Sequence, residues 1–227
     1  MGATGRDHAY VTHVILDVDH TMYTAGARFE DHEHLVVHRW FERVAEKEIS
    51  VVDLWWNIRQ RYEEHGFSRA LFNFLEEFSG VVPPSDSFMK YMMSDEGLEY
   101  ERFLKRELAL KSELIRQREL SRTIVAFSDN PNCERILRII GVHELVDHVF
   151  VPVLDMREIS GAKCAPCFRR LFALLEIEPH HAIMCGDTPG SDIQPAIEAG
   201  MPPEQVFLVK GPEELVEVLE RTRGHTP

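Results

Sequence analysis

The chain has 227 residues, a formal net charge of −13 and 44% hydrophobic residues. That length and apolar content predict a globular protein with one sizeable core and a small accessory domain, and they exclude a disordered chain. The negative charge argues against non-specific binding to a nucleic-acid polymer or an anionic membrane, and no stretch approaches the length of a membrane span.

In chain order, Val11 to Leu16 is an apolar run rich in β-branched residues and ended by acids, which reads as a buried strand. It feeds directly into Asp17-Val18-Asp19-His20-Thr21. Alternate strand residues point to the same side, so Asp17 and Asp19 are expected to present two carboxyl groups to one site. Two acids that close repel unless a cation joins them or one stays protonated. The first outcome makes a Mg²⁺ site with a nucleophile, the second a general acid beside it. Alone, Asp-x-Asp is also common in loops and turns.

Residues 22–105 read as helices: Glu30 to Lys47, Val51 to His65, Ser68 to Phe78, and a charged helix around Leu98 to Leu120. Leu35, Val36, Trp40 and Val44 give the first an amphipathic face. Pro83-Pro84 breaks the stretch, and Ser85 is expected to cap another short helix. Trp55 and Trp56 read as helix-packing residues, though with Tyr62 they are also aromatic enough to stack on a base. Arg59, Arg69 and His65 could reach a phosphate or ribose. His34 and His38 have a spacing that permits a metal pair, but solvated or capping histidines are expected there and no metal is assigned.

From Arg122 strands and helices alternate. Thr123 onward is a strand ending at Ser128, and Pro131 opens a helix that runs through Ile140 to a stop at Gly141. Such a junction, with Ser128 and backbone N–H groups, suits a phosphate; Ser128, Asp129 or Asn130 as a mere helix cap is the alternative. A short strand follows at His148 to Val151. Lys163 precedes Pro166 and a helix from Cys167 to Leu175, and is either a surface charge or a screen for an anionic nucleophile or phosphate. The strand Ala182 to Cys185 leads into Gly186-Asp187-Thr188-Pro189-Gly190-Ser191-Asp192, then a helix Ile193 to Ala199 ended by Gly200. Carboxylate oxygens there are hard donors that Mg²⁺ prefers, and a plain surface turn is the alternative. A strand Val206 to Val209, a helix Pro212 to Arg221 and a frayed tail from Arg223 complete the pattern. The alternation implies an α/β protein with a parallel sheet, helices on both faces, and ligands outside the carboxyl ends of the strands.

The four cysteines are Cys133, Cys164, Cys167 and Cys185. Cys164-Ala165-Pro166-Cys167 has no second pair to complete a zinc site and reads as incidental. These thiols suit a reducing, cytoplasmic compartment. The start of the chain shows no signal peptide, and Arg6 spoils the myristoylation pattern that Met1-Gly2 begins.

The ordered series Asp-x-Asp-x-Thr, Ser128, Lys163, Gly186-Asp187 and Asp192 resembles the haloacid dehalogenase-like (HAD) hydrolase superfamily over nearly the whole chain. The resemblance extends to Lys163 through Phe168, Asp192-Ile193, Ala196 and Ala199-Gly200-Met201, with Cys164 in place of the usual proline. It implies a HAD-type Rossmann-like core formed by residues 1–21 and 106–227, and an inserted helical (C1-type) cap formed by 22–105. It also implies roles. Asp17 would be the nucleophile that forms an aspartyl-phosphate. Asp19 would protonate the leaving oxygen and then deprotonate water. Ser128 and the N–H groups of Asp129 and Asn130 would hold phosphoryl oxygens, and Lys163 would neutralise charge. Asp17, Asp187 and the main-chain carbonyl of Asp19 would bind Mg²⁺, with Asp192 ligating through water or orienting Lys163. His20 departs from the commoner Asn or Gly.

Asp19 separates phosphatases from dehalogenases in this superfamily, so phosphoryl chemistry is favoured. Among capped members the chain looks most like the pyrimidine 5′-nucleotidase group. The points of likeness are Asp-x-Asp-x-Thr-x-Tyr ending at Tyr23, Tyr62 to Phe67, and Phe127 to Asn130 where that group often has Phe-Thr-Asn-Ala. The implied substrate is a small phosphorylated metabolite, a nucleoside monophosphate such as UMP or CMP. Other capped phosphatases (sugar phosphate or phosphoglycolate), a phosphomutase, and a catalytically silent binding protein are the alternatives. Oligomeric state is not implied.

Overall fold

The computed structural model describes residues 10–24, 26–65, 67–84, 86–155 and 163–225. Five short strands form one sheet: β1 (His13–Leu16), β2 (Thr123–Phe127), β3 (His148–Phe150), β4 (Ala182–Gly186) and β5 (Val206–Leu208). All neighbours pair in parallel, in the order β3-β2-β1-β4-β5. Parallel pairing requires long crossovers, and helices supply them. Between β1 and β2 lie α1 (Ala27–Ala45), α2 (Val51–His65), α3 (Phe67–Ser79), α4 (Ser87–Met92), α5 (Tyr100–Phe103) and α6 (Leu108–Glu119). After β2 come α7 (Cys133–Ile140) and the single turn α8 (Pro152–Asp155), then α9 (Ala165–Leu175) before β4, α10 (Gln194–Glu198) before β5, and α11 (Pro212–Thr222).

Strand alternation sorts the core into two layers. Val14, Leu16, Ile124, Ala126, Ile183 and Cys185 share one packed layer with Leu110, Ile136 and Leu215 of α6, α7 and α11. Ile15, Val125, Phe127 and Met184 belong to the other, with Phe168 and Leu171 of α9 and Ala196 of α10. Side chains on both faces are fully buried, which is why these strands read as continuous apolar runs. The first layer continues into the inserted helices through Val36, Trp40, Phe41, Leu54 and Leu71. The expected boundary at 21/22 falls in the turn after β1, and that at 105/106 in the irregular stretch between α5 and α6.

Several expectations need correction. The single helix over Leu98 to Leu120 is two helices, α5 and α6, because Leu104 is extended (ψ 150°) and buried between them. Burial of one leucine outweighs a continuous helix-forming sequence. Trp55 does pack, with ring centroids 4.0 Å from His34 and 5.7 Å from Phe67, but Trp56 is 65% exposed. The helix after β2 starts at Cys133, with Pro131 in the preceding turn. Residues Arg223–His225 form a docked 3₁₀ turn rather than a frayed end, since Arg223 Nε donates to the buried Glu113 Oε1 at 3.0 Å. Ser85 and the side chains of Tyr62, His65 and Arg69 lie outside the described residues.

Candidate active site

The order β3-β2-β1-β4-β5 reverses direction at β1, and in open parallel sheets that switch point is where ligands bind. The carboxyl ends of β1, β2 and β4 carry Asp17, Ser128 and Asp187 to it. Asp17 prolongs the ladder, its N–H donating to the Cys185 carbonyl at 2.9 Å. Its side chain is buried: Oδ1 accepts from Lys163 Nζ at 2.5 Å and Oδ2 from the Thr21 hydroxyl at 2.9 Å. Lys163 enters from the turn before α9, buried as well, and donates also to the Phe127 carbonyl at 3.2 Å. It forms a second ion pair with Asp192 Oδ1 at 2.5 Å.

Asp192 is fixed by its loop. Its Oδ2 accepts the Thr188 N–H at 2.9 Å, and its own N–H donates to the Thr188 carbonyl at 2.9 Å. Gly186 makes room for it: a Cβ at that position would stand 2.5 Å from Asp192 side-chain atoms. Asp187 accepts the Thr188 hydroxyl at 3.0 Å. One carboxylate oxygen each from Asp17, Asp187 and Asp192 lie within 4.8 Å of one another.

Asp19 offers no side-chain ligand to that cluster among the described residues; its carboxyl belongs to an adjoining hydrogen-bond network at the same strand ends. The turn after Asp17 puts His20 in the left-handed region (φ 56°). Asp19 Oδ1 accepts from the Tyr23 hydroxyl at 2.7 Å and from Asn130 Nδ2 at 2.9 Å; Oδ2 accepts from the Ser128 hydroxyl at 3.0 Å. Asn130 Nδ2 also reaches the Tyr100 hydroxyl at 2.9 Å, which links this network to the inserted helices. Ser128 Oγ accepts the Asn130 N–H at 3.0 Å. Among the described residues the N–H groups of Asp19 and Asp129 find no acceptor, so both remain open to an anion at the strand ends.

The electrostatics are those of a site short of positive charge. Burial pulls Lys163 down, but Asp17, Asp192 and Asp129 outweigh it and hold the ammonium well above its usual range. Burial pushes Asp17 up, with Asp192 and Asp19 adding to the push and Lys163 opposing it. Asp187 is raised by burial and by Asp192, against Thr188, His20 and Lys163. A single ammonium thus serves three clustered carboxylates. That donor set, hard oxygens around one unneutralised point, fits a divalent cation such as Mg²⁺. The Asp19 carboxyl stands outside it, so only the main-chain carbonyl of Asp19 remains a candidate ligand from that residue.

The predicted residues Asp17, Lys163, Asp187 and Asp192 come together, and Asp19, Ser128 and Asn130 form an adjoining group. Asp129 turns its carboxyl toward the Lys163 main chain; Oδ1 is buried without a partner, and burial raises the group to about 7. Three neighbours escaped sequence reasoning: Thr21 as a partner of Asp17, Tyr100, and Glu33 of α1. Burial pushes Glu33 up to about 7, with Asp19 and Glu30 adding and His20 opposing. Asp-x-Asp-x-Thr contains the signal for Thr21, four residues after Asp17. Tyr100 and Glu33 had none. The Cys164 and Cys167 sulfurs lie 2.9 Å apart at the start of α9.

No protein-family model and no curated protein matches the chain. Solved structures do. A predicted phosphoglycolate phosphatase from Haemophilus somnus is 16% identical, with a TM-score of 0.60 over 96% of this chain and 100% of that one. A 2-haloacid dehalogenase from Pseudomonas syringae is 19% identical, with a TM-score of 0.54 over 93% and 99%. A HAD-hydrolase from Bacillus subtilis, solved bound to magnesium, is 16% identical, with a TM-score of 0.55 over 93% and 99%. The five-stranded parallel sheet with its surrounding helices is therefore the α/β fold of the haloacid dehalogenase-like hydrolases.

Proposed function

We propose that the protein is a Mg²⁺-dependent phosphomonoesterase that acts on a small phosphorylated metabolite, a nucleoside 5′-monophosphate by preference, through an aspartyl-phosphate on Asp17. The observation that carries this reading is the buried Lys163 held 2.5 Å from both Asp17 and Asp192, with Asp187 beside them, at the sheet's switch point. Asp19, which a halide-displacing enzyme would not need, stands next to them in hydrogen-bond contact with Ser128. The nucleotide preference rests on the sequence resemblance around Tyr23 and Phe127 to Asn130.

The divalent ion would be held by Asp17, Asp187 and the Asp19 carbonyl, with Asp192 behind them. When bound, it neutralises the repulsion between a carboxylate attacker and a phosphate dianion. The chain's own groups do the rest. Lys163 aligns Asp17 and offsets negative charge on the phosphoryl group in flight. The open N–H groups of Asp19 and Asp129 receive phosphoryl oxygens, joined by the Ser128 hydroxyl once it leaves Asp19. Asp17 Oδ2 attacks phosphorus, and Asp19, having taken a proton from solvent before the ester is enclosed, gives it to the departing ester oxygen. Asp19 then takes a proton from the water that splits the aspartyl-phosphate. The helices of residues 22–105, linked to the site through Tyr100, act as the cap that excludes water and reads the leaving group.

Phosphate release from UMP, CMP, dUMP, AMP, GMP, phosphoglycolate, sugar phosphates and p-nitrophenyl phosphate tests this, with and without Mg²⁺ and with Asp17→Asn as control. Metal-dependent turnover that disappears in Asp17→Asn, fastest with UMP or CMP, is the expected result. The same dependence with another favourite keeps the chemistry and discards the nucleotide. No turnover of any ester overturns the reading.

A further inference from the structure

Glu33 lies on the wrong face of its helix for a surface charge. On α1 the buried residues are Phe29, Val36, Val37, Trp40, Phe41 and Ala45, and Glu33 sits one turn from Phe29 and one turn from Val37 on that inward stripe. Phe29 packs on Tyr23 and Tyr100, with ring centroids 6.4 and 5.6 Å away. That contact brings the stripe against the two hydroxyls that border the Asp19 network. The Glu33 carboxyl is accordingly within electrostatic reach of Asp19, His20, Tyr23 and Tyr100. Among the described residues no group donates a hydrogen bond to Glu33, and none pairs with it as an ion. It is not sealed off either, being of intermediate exposure. A half-buried carboxylate without a donor is costly, so a donor that arrives with a ligand gains more than an ordinary hydrogen bond.

We propose that Glu33 is a specificity-determining residue: it accepts a hydrogen bond from a hydroxyl or ammonium donor on the leaving group and turns away leaving groups that carry a carboxylate. The inference rests on the phosphatase reading, in which Asp19 marks the ester oxygen. Beyond that oxygen lie the first atoms of the leaving group, and Glu33, on the stripe of α1 that carries Phe29 onto Tyr23 and Tyr100, faces this part of the site. A ribose or other polyol presents hydroxyl donors a few atoms further along, as ribose does to an acidic residue in dinucleotide sites. A carboxylate placed two bonds from the ester oxygen would instead meet a like charge where little water screens it. Glu33 thus favours a nucleotide or sugar phosphate over phosphoglycolate.

The test is kcat/KM at pH 8.5, where Glu33 is ionised, for the full chain and for Glu33→Gln in Mg²⁺, each value divided by that for p-nitrophenyl phosphate, whose leaving group has neither donor nor carboxylate. The other esters are UMP, glucose 6-phosphate, phosphoethanolamine and 2-phosphoglycolate. The wild-type protein should prefer at least one donor-bearing ester to phosphoglycolate by about tenfold or more, and Glu33→Gln should shrink that preference about tenfold. UMP and glucose 6-phosphate against phosphoethanolamine tell hydroxyl from ammonium. A uniform fall across the panel would make Glu33 a structural residue, and a wild-type preference for phosphoglycolate would refute the inference outright. Failure to hydrolyse even p-nitrophenyl phosphate would instead overturn the phosphatase reading, and this inference with it.

Discussion

Lys163 Nζ lies 2.5 Å from Asp17 Oδ1, although 146 positions separate the two residues in the chain. The same ammonium holds Asp192 at 2.5 Å, so losing Lys163 and losing one of its partners are not equivalent. Lys163→Met strands two buried carboxylates, and breaking a buried pair from that side costs about 3–5 kcal/mol. Asp17→Asn leaves Lys163 paired with Asp192 and should cost distinctly less. Urea unfolding of both variants in EDTA measures the difference; equal losses would mean that Lys163 is not the hub. In kinetics the order reverses in meaning, since both should lose at least about 10³-fold in kcat as members of one catalytic unit.

Asp19 and Asp17 should separate in their response to the leaving group. The Asp19 carboxyl stands apart from the metal-ligand cluster and is placed to hand over a proton. Asp19→Asn should therefore cost about 10²–10⁴-fold with an alkyl phosphate, whose alkoxide needs protonation. With p-nitrophenyl phosphate, whose phenolate leaves unaided, the first step should suffer far less, visible as a burst of p-nitrophenol. Equal losses with both esters, and no burst, would remove the general-acid role.

Much of this was legible in the chain because strands buried on both faces announce themselves as short apolar runs, and Asp17, Ser128 and Asp187 follow three such runs directly. Gly141 ends α7 at φ 81°, as its sequence position implied. What stayed hidden depends on tertiary contact. The break at Leu104 has no Pro or Gly to mark it; only the burial of that side chain explains it. The left-handed backbone at His20 belongs to a residue type that does not signal one. Glu33 reads as an ordinary helix-surface acid until Phe29 is seen packed on Tyr23 and Tyr100.

Gly186→Ala should disable the site from a position that touches no substrate. The new methyl would meet the Asp192 side chain at 2.5 Å, on a loop already tied by two hydrogen bonds to Thr188. Overpacking of this kind costs about 1–3 kcal/mol. Asp192 must shift, and Lys163 with it. The expected outcome is a folded protein, by circular dichroism, with kcat reduced about tenfold or more. Unchanged kcat would show that the Asp192–Lys163 pair does not position Asp17.

His20→Gly should stabilise the protein. A left-handed conformation costs an L-residue about 1–2 kcal/mol, and glycine's extra freedom in the unfolded chain returns about 0.4–1 kcal/mol of that. The net gain expected is about 0.5–1 kcal/mol, read as a higher midpoint in urea with EDTA present. A loss instead would mean that the imidazole, which opposes the upward shifts of Glu33 and Asp187, is worth more to the fold than its backbone strain.

Asp129 supplies one part of the pH dependence, which its own substitution isolates. Burial raises its carboxyl to about 7 from an ordinary 3.8, and its Oδ1 has no donor. The folded protein therefore binds a proton that the unfolded chain has already released between those values. Stability from this group is complete below pH 3.8, falls as pH rises toward 7 and levels off above it. Asp129→Asn removes the ionisation while its amide oxygen can still accept the Lys163 N–H. The melting temperature of the variant relative to wild type should thus climb between pH 5 and pH 8, measured in EDTA so that no cation masks the charge. A difference that stays constant over that range would show that Asp129 finds its compensation elsewhere in the folded site.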